Sequence, residues 1–443
     1  MKRLVILGGG ESGVGSARLG QKLGYQVFLS DKGVLAEKYA KQLTEMGVEF
    51  ECGQHTAEKI LNADLVIKSP GIPETAPMVV TLKQQNVEII SEIEFAGRNS
   101  NSKMICITGS NGKTTTTLLT YHLLKSAGID AGLAGNVGHS LAAQVADGKH
   151  EVYVVELSSF QLDGMYDFKA GIAVLTNITP DHLDRYDYKF ENYIDSKFRI
   201  LQNMQSSNLF IYSQDSPAVT DKIKSLNIVP QSVAFTYGPS ANSQAYMDGN
   251  NVVVELDGRT FCIDKSRISI KGRHNVYNAM AAISVAIRVG LTNQQIIEGL
   301  ESFPQVEHRL ESVCVHNGVT YINDSKATNV DSAWYALDSM TQPVIWIAGG
   351  TDKGNDYSVL DELVKSKVKR LVCLGLDNAK LLQHFGSMVP CSDTNSLEAC
   401  IKECQAYASE GDVVLLSPCC ASFDLFKNYE NRGELFKEMV RNL

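Results

Sequence analysis

The chain has 443 residues, of which 44% are hydrophobic and 21% are charged, and its formal net charge is -9. This length exceeds one ordinary core and indicates about three domains, while the composition excludes disordered and fibrous proteins. The negative charge argues against broad nucleic-acid binding, so any anionic ligand must be held by local cations and backbone amides. No stretch approaches the roughly 18 consecutive apolar residues of a membrane helix, and we expect no membrane partner.

The N-terminal sequence MKRLVILGGG begins with positive charges, but its apolar run is limited to residues 4–7 and no cleavage-like site follows. It therefore predicts a first β-strand and not a signal peptide. Without an export signal we expect a cytoplasmic protein, a monomer, whose ten cysteines are free thiols. The vicinal Cys419 and Cys420 are assigned to packing in preference to redox chemistry.

Apolar runs of strand length alternate with amphipathic segments of helix length, which is typical of parallel α/β architecture. Breaks near residues 99 and 303 predict three α/β domains, at 1–98, 99–303 and 304–443. From these breaks and the motifs described below, we expect a Rossmann-like N-terminal domain, a central P-loop ATPase-like domain with a parallel sheet and a Rossmann-like C-terminal domain. The strands are predicted at 4–7, 27–30, 65–68, 104–108, 152–157, 172–176, 252–256, 344–348, 371–374 and 413–416, and a helix at 275–289.

The motif TGSNGKTTT follows the strand that ends at Thr108 and precedes a helix. Backbone N–H groups of such a turn, together with the positive end of the helix dipole, can hold ATP phosphates. Lys113 would reach the β- and γ-phosphate oxygens, and the Thr114 hydroxyl would bind Mg²⁺. Ile107 replaces the first glycine of the full phosphate-loop pattern. The residues predicted to bind ATP here are Gly109, Asn111, Gly112, Lys113, Thr114 and Thr115.

Polar residues follow the next two strands of this domain. Glu156 ends one strand, and Asp181 and His182 follow the other, so all three are expected at the carboxyl edge of the sheet, where ligands bind. Glu156 is a natural Mg²⁺ ligand beside Thr114, whereas a histidine at this place could equally be structural. Lys197, on the following helix, reads from the residues alone as a solvated lysine.

TGSNGKTTT, the Glu156 strand, NITPDHLDRY and the SKFRI helix together resemble the central domain of the Mur ligases. The resemblance implies an ATP-dependent ligase that joins an amino acid to a carboxylate of a UDP-linked peptidoglycan precursor. In that family the lysine at the position of Lys197 is carbamylated and becomes a metal ligand. The resemblance thus implies two Mg²⁺ ions, one near Thr114 and Glu156 and one near His182 and carbamylated Lys197.

The motif KGRHNVYN opens the last helix of the central domain. In the Mur ligases the corresponding motif meets the nucleotide, which implies this role for His274, Asn275 and Asn278. Asn275 could instead cap the helix. Arg309 would supply a cation to the phosphates.

Three C-terminal motifs, NDSKATN, GGTDKGNDY and SPCCASFDLFKNYENRG, resemble those of the D-glutamate-adding members of the family. In the first motif Asp324, Lys326 and Thr328 can bind ribose, phosphate or an incoming carboxylate; Asp324 is assigned to the nucleotide. The resemblance implies UDP-N-acetylmuramoyl-L-alanine and D-glutamate as substrates, and Tyr429 stands where phenylalanine is expected. D-glutamate would be held by Thr328, Lys353, Ser422 and the backbone near Tyr429, and the expected catalytic residues are Lys113, His182, Lys197 and Lys326.

The N-terminal GGGESG loop alone fits a dinucleotide fingerprint, with Asp31 at the end of the second strand. An NAD-linked dehydrogenase would leave the ATP loop unexplained, and the same turn binds any diphosphate. The resemblance assigns it to UDP, although either Asp31 or Lys32 could meet the uracil. The expected contacts to the UDP-linked substrate are Ser12, Gly13, Asp31, Ser69, Gly71 and Asn136.

A carboxylate is a poor electrophile, so we expect ATP to convert it to an acyl phosphate that the amine of glutamate then attacks. No residue stands out as the base for that amine. Two further alternatives stay open: another Mur-type or folylpolyglutamate-type ligase with a different amino acid, and a P-loop switch or binding protein that joins nothing.

Overall fold

The computed structural model describes residues 1–148, 150–238 and 242–443. They form two compact units, one of Met1–Arg267 with Tyr277–Ser302 and one of Ile268–Val276 with Phe303–Leu443. Within the described ranges, no helix is both long and apolar enough to cross a membrane.

The first unit begins with a parallel sheet of strand order β3-β2-β1-β4-β5. Alternate residues of β1 face opposite sides of this sheet and are buried on both, because helices cover both faces, which explains the unbroken apolar run. Its elements are β1 (Arg3–Leu7), α1 (Glu11–Lys22), β2 (Gln26–Asp31), α2 (Glu37–Glu45), β3 (Glu49–Cys52), α3 (Ala57–Ile60), β4 (Leu65–Lys68), α4 (Pro77–Gln84), β5 (Ile89–Ile90) and α5 (Glu92–Arg98).

A second sheet of the same unit carries the phosphate-loop motif. Its first elements are β6 (Lys103–Thr108), α6 (Lys113–Ser126), β7 (Ala131–Gly135), α7 (Leu141–Asp147), β8 (Val152–Glu156), α8 (Ser159–Asp163), β9 (Ile172–Leu175), α9 (Phe190–Phe198), β10 (Leu209–Ser213), α10 (Pro217–Lys224) and β11 (Gln231–Phe235). Its remaining elements are β12 (Ala245–Asp248), β13 (Asn251–Leu256), β14 (Arg259–Asp264), α11 (Arg273–Val289) and α12 (Asn293–Ser302).

The strand order of this sheet is β14-β13-β12-β11-β10-β9-β6-β8-β7. Pairing is parallel from β7 to β12, whereas β12, β13 and β14 pair antiparallel. Helices α1 and α7 pack against each other between the two sheets of the unit. Beside them, the buried carboxylate of Glu92, on α5, accepts hydrogen bonds of 2.7 Å from Ser140 Oγ and Ala142 N at the start of α7. The parallel part of the sheet brings the ends of β6, β8 and β9 side by side.

The second unit contains a sheet of order β15-β16-β20-β17-β18-β19, in which only the β15–β16 pair among the described strands is antiparallel. Its central strands are again buried on both faces. Its elements are β15 (Glu311–His316), β16 (Val319–Asn323), α13 (Val330–Asp338), β17 (Val344–Gly349), α14 (Asp361–Lys367), β18 (Val368–Leu374), α15 (Ala379–Phe385), β19 (Cys391–Thr394), α16 (Leu397–Tyr407), β20 (Val413–Cys419) and α17 (Tyr429–Arg441).

The α/β class and the predicted strands are confirmed, with strand ends shifted by up to three residues. The boundaries near residues 99 and 303 stay a prediction. The helix that KGRHNVYN opens is α11, and α12 follows it within residues 99–303, so α11 does not close the predicted central domain. The alternative that Asn275 caps this helix is wrong. Helix α11 begins at Arg273, so Asn275 lies inside its first turn, where its Nδ2 donates to Lys271 O at 2.8 Å.

Candidate active site

The phosphate-loop motif forms a tight turn between β6 and α6. Gly112, immediately before the helix, has φ +82°, and Gly109 has φ +146°. A Cβ on Gly109 would lie 2.0 Å from Thr176 Oγ1, and one on Gly112 would lie 2.5 Å from Asn278 Oδ1. Both positions therefore require glycine, and the turn aims the N-terminal N–H groups of α6 into the concave side of the loop.

Residues 176–179, just after β9, hold this loop from one side. Thr176 Oγ1 donates to Asn111 O at 2.6 Å, and Asn111 N donates to Asn177 Oδ1 at 2.9 Å. Ser110 Oγ donates to Thr179 O and accepts from Thr179 N, both at 2.9 Å. The sequence motif NITP was singled out for the residues after it, and this scaffold role of its polar side chains was not predicted.

Lys113 lies over its own loop. Its ammonium donates hydrogen bonds of 2.9 Å to the backbone oxygens of Gly109 and Ser110. Thr114 is half-buried and Thr115 is buried at the start of α6. The loop thus brings a cation and a hydroxyl to the place where the phosphates of a nucleotide would lie.

Asn278, predicted to meet the nucleotide, is buried beside the loop. It accepts a hydrogen bond of 3.1 Å from Thr116 Oγ1, and its Oδ1 is the atom that excludes a side chain at Gly112. The structure therefore brings Asn278 to the phosphate loop, where it supports the loop from the opposite side to residues 176–179.

Glu156 ends β8, opposite Ile107 of β6, and is fully buried. Its Oε1 accepts a hydrogen bond of 2.8 Å from Asn136 Nδ2. Its Oε2 is also buried and has no hydrogen-bond partner among the described residues. An unsatisfied buried carboxylate oxygen next to a phosphate loop fits a hard divalent cation such as Mg²⁺.

Lys197 is not the solvated helix lysine that its local sequence allows. Its side chain is 2% exposed, and Nζ donates to Thr108 Oγ1 at 3.2 Å. Burial, followed by repulsion from Lys113, lowers the pKa of Lys197 well below its ordinary value, while Asp181 and Glu156 act in the opposite direction. The charges of Lys113 and Glu156 therefore act on Lys197, so the three side chains lie near one another.

The residues after β9 complete this edge. His182 has φ +53°, is about two-fifths exposed, packs edge-on against Phe160 and lies 3.7 Å from Asp181 Oδ2. Ser196 Oγ donates to Asp163 Oδ1 at 2.6 Å, which ties α9, the helix that carries Lys197, to the end of α8. Asp163 and Ser196 were missed because nothing in their local sequence separates them from ordinary helix residues.

At the edge of the first sheet, the carboxylate of Asp31 is hydrogen-bonded to the backbone of two loops. It accepts hydrogen bonds from Gly9 N at 2.6 Å and Gly33 N at 2.7 Å, whereas Lys32 is exposed. The Asp31 carboxylate thus ties the GGGESG loop to the end of β2. Which of Asp31 and Lys32 meets a ligand stays open.

The other predicted contacts of this loop also meet at one edge. Ser12 and Gly13 lie in the first turn of α1, and Ser69 and Gly71 follow β4. Because β1 and β4 are neighbours, the two loops lie side by side, and Ser69 N donates to Leu7 O at 2.9 Å.

In the second unit, Asp324 is buried after β16. It accepts hydrogen bonds from Ser417 Oγ at 2.9 Å and Leu310 N at 3.2 Å. Burial raises the pKa of Asp324 to about 7, against the opposing effects of these hydrogen bonds and of Arg309. Arg309 is also among the charges that act on His274, whose pKa burial lowers to about 4.

The NDSKATN turn continues with Lys326 and Thr328, both half-buried. The Lys326 ammonium lies 3.6 Å from the ring centroid of Tyr429, and the His308 ring packs edge-on against the same ring at 6.0 Å. The side chain of Tyr429, which stands in place of the expected phenylalanine, therefore contacts Lys326 and His308. The expectation that only the backbone near Tyr429 binds a ligand did not predict these contacts.

The two remaining D-glutamate motifs follow β17 and β20. Lys353 is exposed on its loop, and Ser422 is buried three residues after β20. Cys419 and Cys420 are buried, as their assignment to packing requires, and all ten cysteines of the chain lie in the described residues as free thiols. The motif NYENRG also contains Arg432, for which the sequence predicted no role. This residue is buried and donates hydrogen bonds to the backbone where the two loops begin.

Parallel α/β sheets whose strand ends carry a phosphate loop and a buried carboxylate define a nucleotide-binding enzyme fold. Family models match residues 2–91, 107–286 and 308–420, and they are described as the Mur ligase MurD-like N-terminal domain, the Mur ligase middle domain and the Mur ligase glutamate ligase domain. The chain therefore belongs to the Mur ligase family.

Curated relatives are similar over the full length of the chain. Proteins named UDP-N-acetylmuramoylalanine–D-glutamate ligase from Christiangramia forsetii and Bacteroides fragilis are each 51% identical, with 100% of both chains covered. Among solved structures, MurC from Thermotoga maritima has a TM-score of 0.63 at 17% identity and full coverage of both chains. MurF from Acinetobacter baumannii has a TM-score of 0.63 at 15% identity, covering 99% of this chain and 93% of that one. These distant structures establish the fold alone.

Proposed function

We propose that this protein is the ATP-dependent ligase that joins D-glutamate to UDP-N-acetylmuramoyl-L-alanine in peptidoglycan precursor synthesis. The observation that carries the proposal is the convergence of Lys113, Glu156 and Lys197 at one sheet edge. It is supported by 51% sequence identity, over the full length of the chain, to relatives named as this ligase. Since ATP and UDP-linked precursors are made in the cytoplasm, we place the protein there, as a monomer.

The reaction must make a carboxylate reactive. The carboxylate oxygen of the alanyl group attacks the γ-phosphorus of ATP, the bond to the β-γ bridging oxygen breaks, and ADP leaves. The neutral amine of D-glutamate then adds to the acyl phosphate carbon, and loss of phosphate and of one proton leaves the amide. Because these steps bring anions together, positioned cations and N–H groups do most of the catalytic work.

The first unit supplies groups for the nucleotide. The N-terminal N–H groups of α6 and the Lys113 ammonium would hold the β- and γ-phosphates. Moving from the backbone oxygens of Gly109 and Ser110 to the phosphates would release Lys113 from its loop. Asn136, Ser12, Gly13, Ser69 and Gly71 are proposed to contact the UDP-linked substrate.

Magnesium fits the donor set of this edge. Thr114 and Glu156 would hold one ion, and His182 and carbamylated Lys197 a second; bound ions would neutralise charge on the phosphates. Carbamate formation needs a neutral amine, which attacks CO₂, forms a C–N bond and loses one proton. The burial of Lys197 beside Lys113 favours that neutral form.

The second unit supplies groups for the amino acid and for the rest of the nucleotide. Arg309 and Asp324, with His274 and Asn275, are proposed to meet the nucleotide. Lys326 would neutralise the developing charge of the acyl phosphate, held in place by the Tyr429 ring. Thr328, Lys353 and Ser422, and the backbone near Tyr429, are proposed to hold the carboxylates of D-glutamate.

The test is ADP release by the purified protein with Mg²⁺, ATP and UDP-N-acetylmuramoyl-L-alanine, with and without D-glutamate. We expect release only when both substrates are present, and ¹⁸O placed in the alanyl carboxylate should appear in the phosphate product. Release that depends on another amino acid would favour a different ligase of the family. Release that depends on no amino acid would favour a P-loop binding protein and would refute the proposal.

A further inference from the structure

The guanidinium of Arg432 lies in the interior of the second unit, where the side chain is 2% exposed. Arg432 occupies the first turn of α17, beginning at Tyr429. Although burial lowers the pKa of Arg432 to about 10, the group stays protonated at neutral pH. A buried cation is costly unless its donors are all used, so the identity of its partners matters.

The donors of Arg432 reach three separate segments. Nε donates to Ser325 Oγ at 3.0 Å and Nη2 donates to Ser325 O at 2.9 Å. Nη1 donates to Gly349 O at 3.4 Å, and Nη1 and Nη2 donate to Cys420 O at 3.4 and 3.3 Å. Its hydrogen-bond partners in the described residues are thus one hydroxyl and three backbone carbonyls.

These acceptors lie at the carboxyl ends of three neighbouring strands. Ser325 follows β16, Gly349 ends β17, and Cys420 follows β20, which lies between the other two in the sheet. Each strand end leads directly into one of the motifs proposed to bind D-glutamate. Lys326 and Thr328 follow the first acceptor, Lys353 follows the second and Ser422 follows the third.

The backbone at these ends has left regular sheet geometry, so its carbonyls need other donors. Cys419 has φ +61°, which is uncommon for a residue with a side chain. Thr351 and Ala421 pair across the two loops, with N–H···O distances of 2.8 and 3.2 Å. Arg432 supplies donors next to this pair, and Ser325 Oγ donates in turn to Tyr429 O at 2.8 Å.

We propose that Arg432 is a positioning residue for the amino-acid subsite, because its guanidinium sets the relative placement of the three segments that hold D-glutamate. The proposal rests on the proposed function. A lysine could not replace it, since one ammonium group cannot present donors in the fixed planar arrangement by which the guanidinium reaches acceptors on three segments. Displacement of a binding group by about 1 Å can cost on the order of 100-fold in rate.

The test compares Arg432→Lys and Arg432→Ala with the wild type in steady-state kinetics for each substrate. We expect the KM for D-glutamate to rise at least about tenfold in both variants, with KM changes below about threefold for ATP and the UDP-linked substrate. Methylguanidine should partly restore Arg432→Ala, because it can occupy the vacated space.

Lys437→Met is the matched control. Lys437 is a second buried cation of α17, 4% exposed, but it pairs with the carboxylates of Glu307, Glu311 and Glu434 and not with the backbone carbonyls that Arg432 binds. This variant should lower thermal stability without a selective rise in the KM for D-glutamate. Equal kinetic profiles for Lys437→Met and Arg432→Lys would overturn the proposal.

Hydrogen–deuterium exchange without ligands separates this inference from the proposed function. In Arg432→Ala we expect faster exchange in residues 349–356 and 419–424 than in the rest of the sheet. If the wild type shows no D-glutamate-dependent ADP release, the proposed function fails, and the exchange result still decides whether Arg432 holds these segments. Unchanged exchange in both segments would reject that role.

Discussion

The side-chain amide of Asn136 donates a hydrogen bond of 2.8 Å to Oε1 of Glu156, and the Asn136 backbone N–H donates one of 2.9 Å to the Glu156 carbonyl oxygen. The two residues follow and end the neighbouring strands β7 and β8. Asn136 was predicted to contact the UDP-linked substrate. The structure shows that it also orients a carboxylate whose other oxygen has no hydrogen-bond partner among the described residues.

Asn136→Ala should therefore weaken the response to magnesium. Loss of a residue that orients a metal ligand typically costs about 10- to 100-fold in metal affinity or activity. We expect the Mg²⁺ concentration for half-maximal ADP release to rise by about tenfold or more. The control is His139→Ala, which alters an exposed residue of the same loop. An Mg²⁺ dependence equal to that of the wild type would show that Asn136 does not act through Glu156.

Lys197→Ala should abolish activity if the lysine is carbamylated. Its side chain is buried beside Thr108, so its loss leaves a space next to the strand end. A short-chain carboxylic acid such as acetate or propionate could place a carboxylate there and restore part of the activity. Lys189→Ala, which removes an exposed lysine just before α9, is the control. Full activity of Lys197→Ala without any added acid would remove the carbamate from the mechanism.

Asp324→Asn should stabilise the protein in a pH-dependent way. The pKa of Asp324 is raised from 3.8 to about 7, first by burial, so the folded state keeps a proton that the unfolded state has lost. Stability is therefore lost as pH rises from about 4 to 7, and the amide removes this effect. From pH 5 to pH 7 we expect the free energy of unfolding of the variant, relative to that of the wild type, to increase by about 2 kcal/mol. Urea unfolding across this range measures it, and a constant difference would contradict the raised pKa.

Substitutions of Tyr429 test the contact between its ring and the Lys326 ammonium, at 3.6 Å. A partly desolvated cation–π contact is worth about 1–2 kcal/mol, which corresponds to roughly five- to thirtyfold. Tyr429→Phe keeps the ring face and should stay within about twofold of wild-type kcat, whereas Tyr429→Leu should fall by about tenfold. If the two variants behave alike, the ring does not position Lys326 and only the backbone at this residue matters.

The fold followed from local patterns. Strands buried on both faces give unbroken apolar runs, and the runs at residues 65–68 and 344–348 are strands in the structure. The phosphate loop could be predicted as well, because Gly109 at φ +146° and Gly112 at φ +82° have backbone angles that residues with a side chain rarely adopt. The helix beginning at Arg273 shows the limit of such signals, since a capping residue type at position 275 was mistaken for a helix boundary.

The sequence by itself thus determined the α/β class, the phosphate loop and, by resemblance, the residues proposed for chemistry. Tertiary structure alone decided that Lys197 is buried beside Thr108, that Asn136 orients Glu156 and that Arg432 joins three strand ends. The physical reason is sequence separation. These hydrogen bonds join residues 12 to 107 positions apart in the chain, and such contacts produce no periodic pattern in the sequence around either residue.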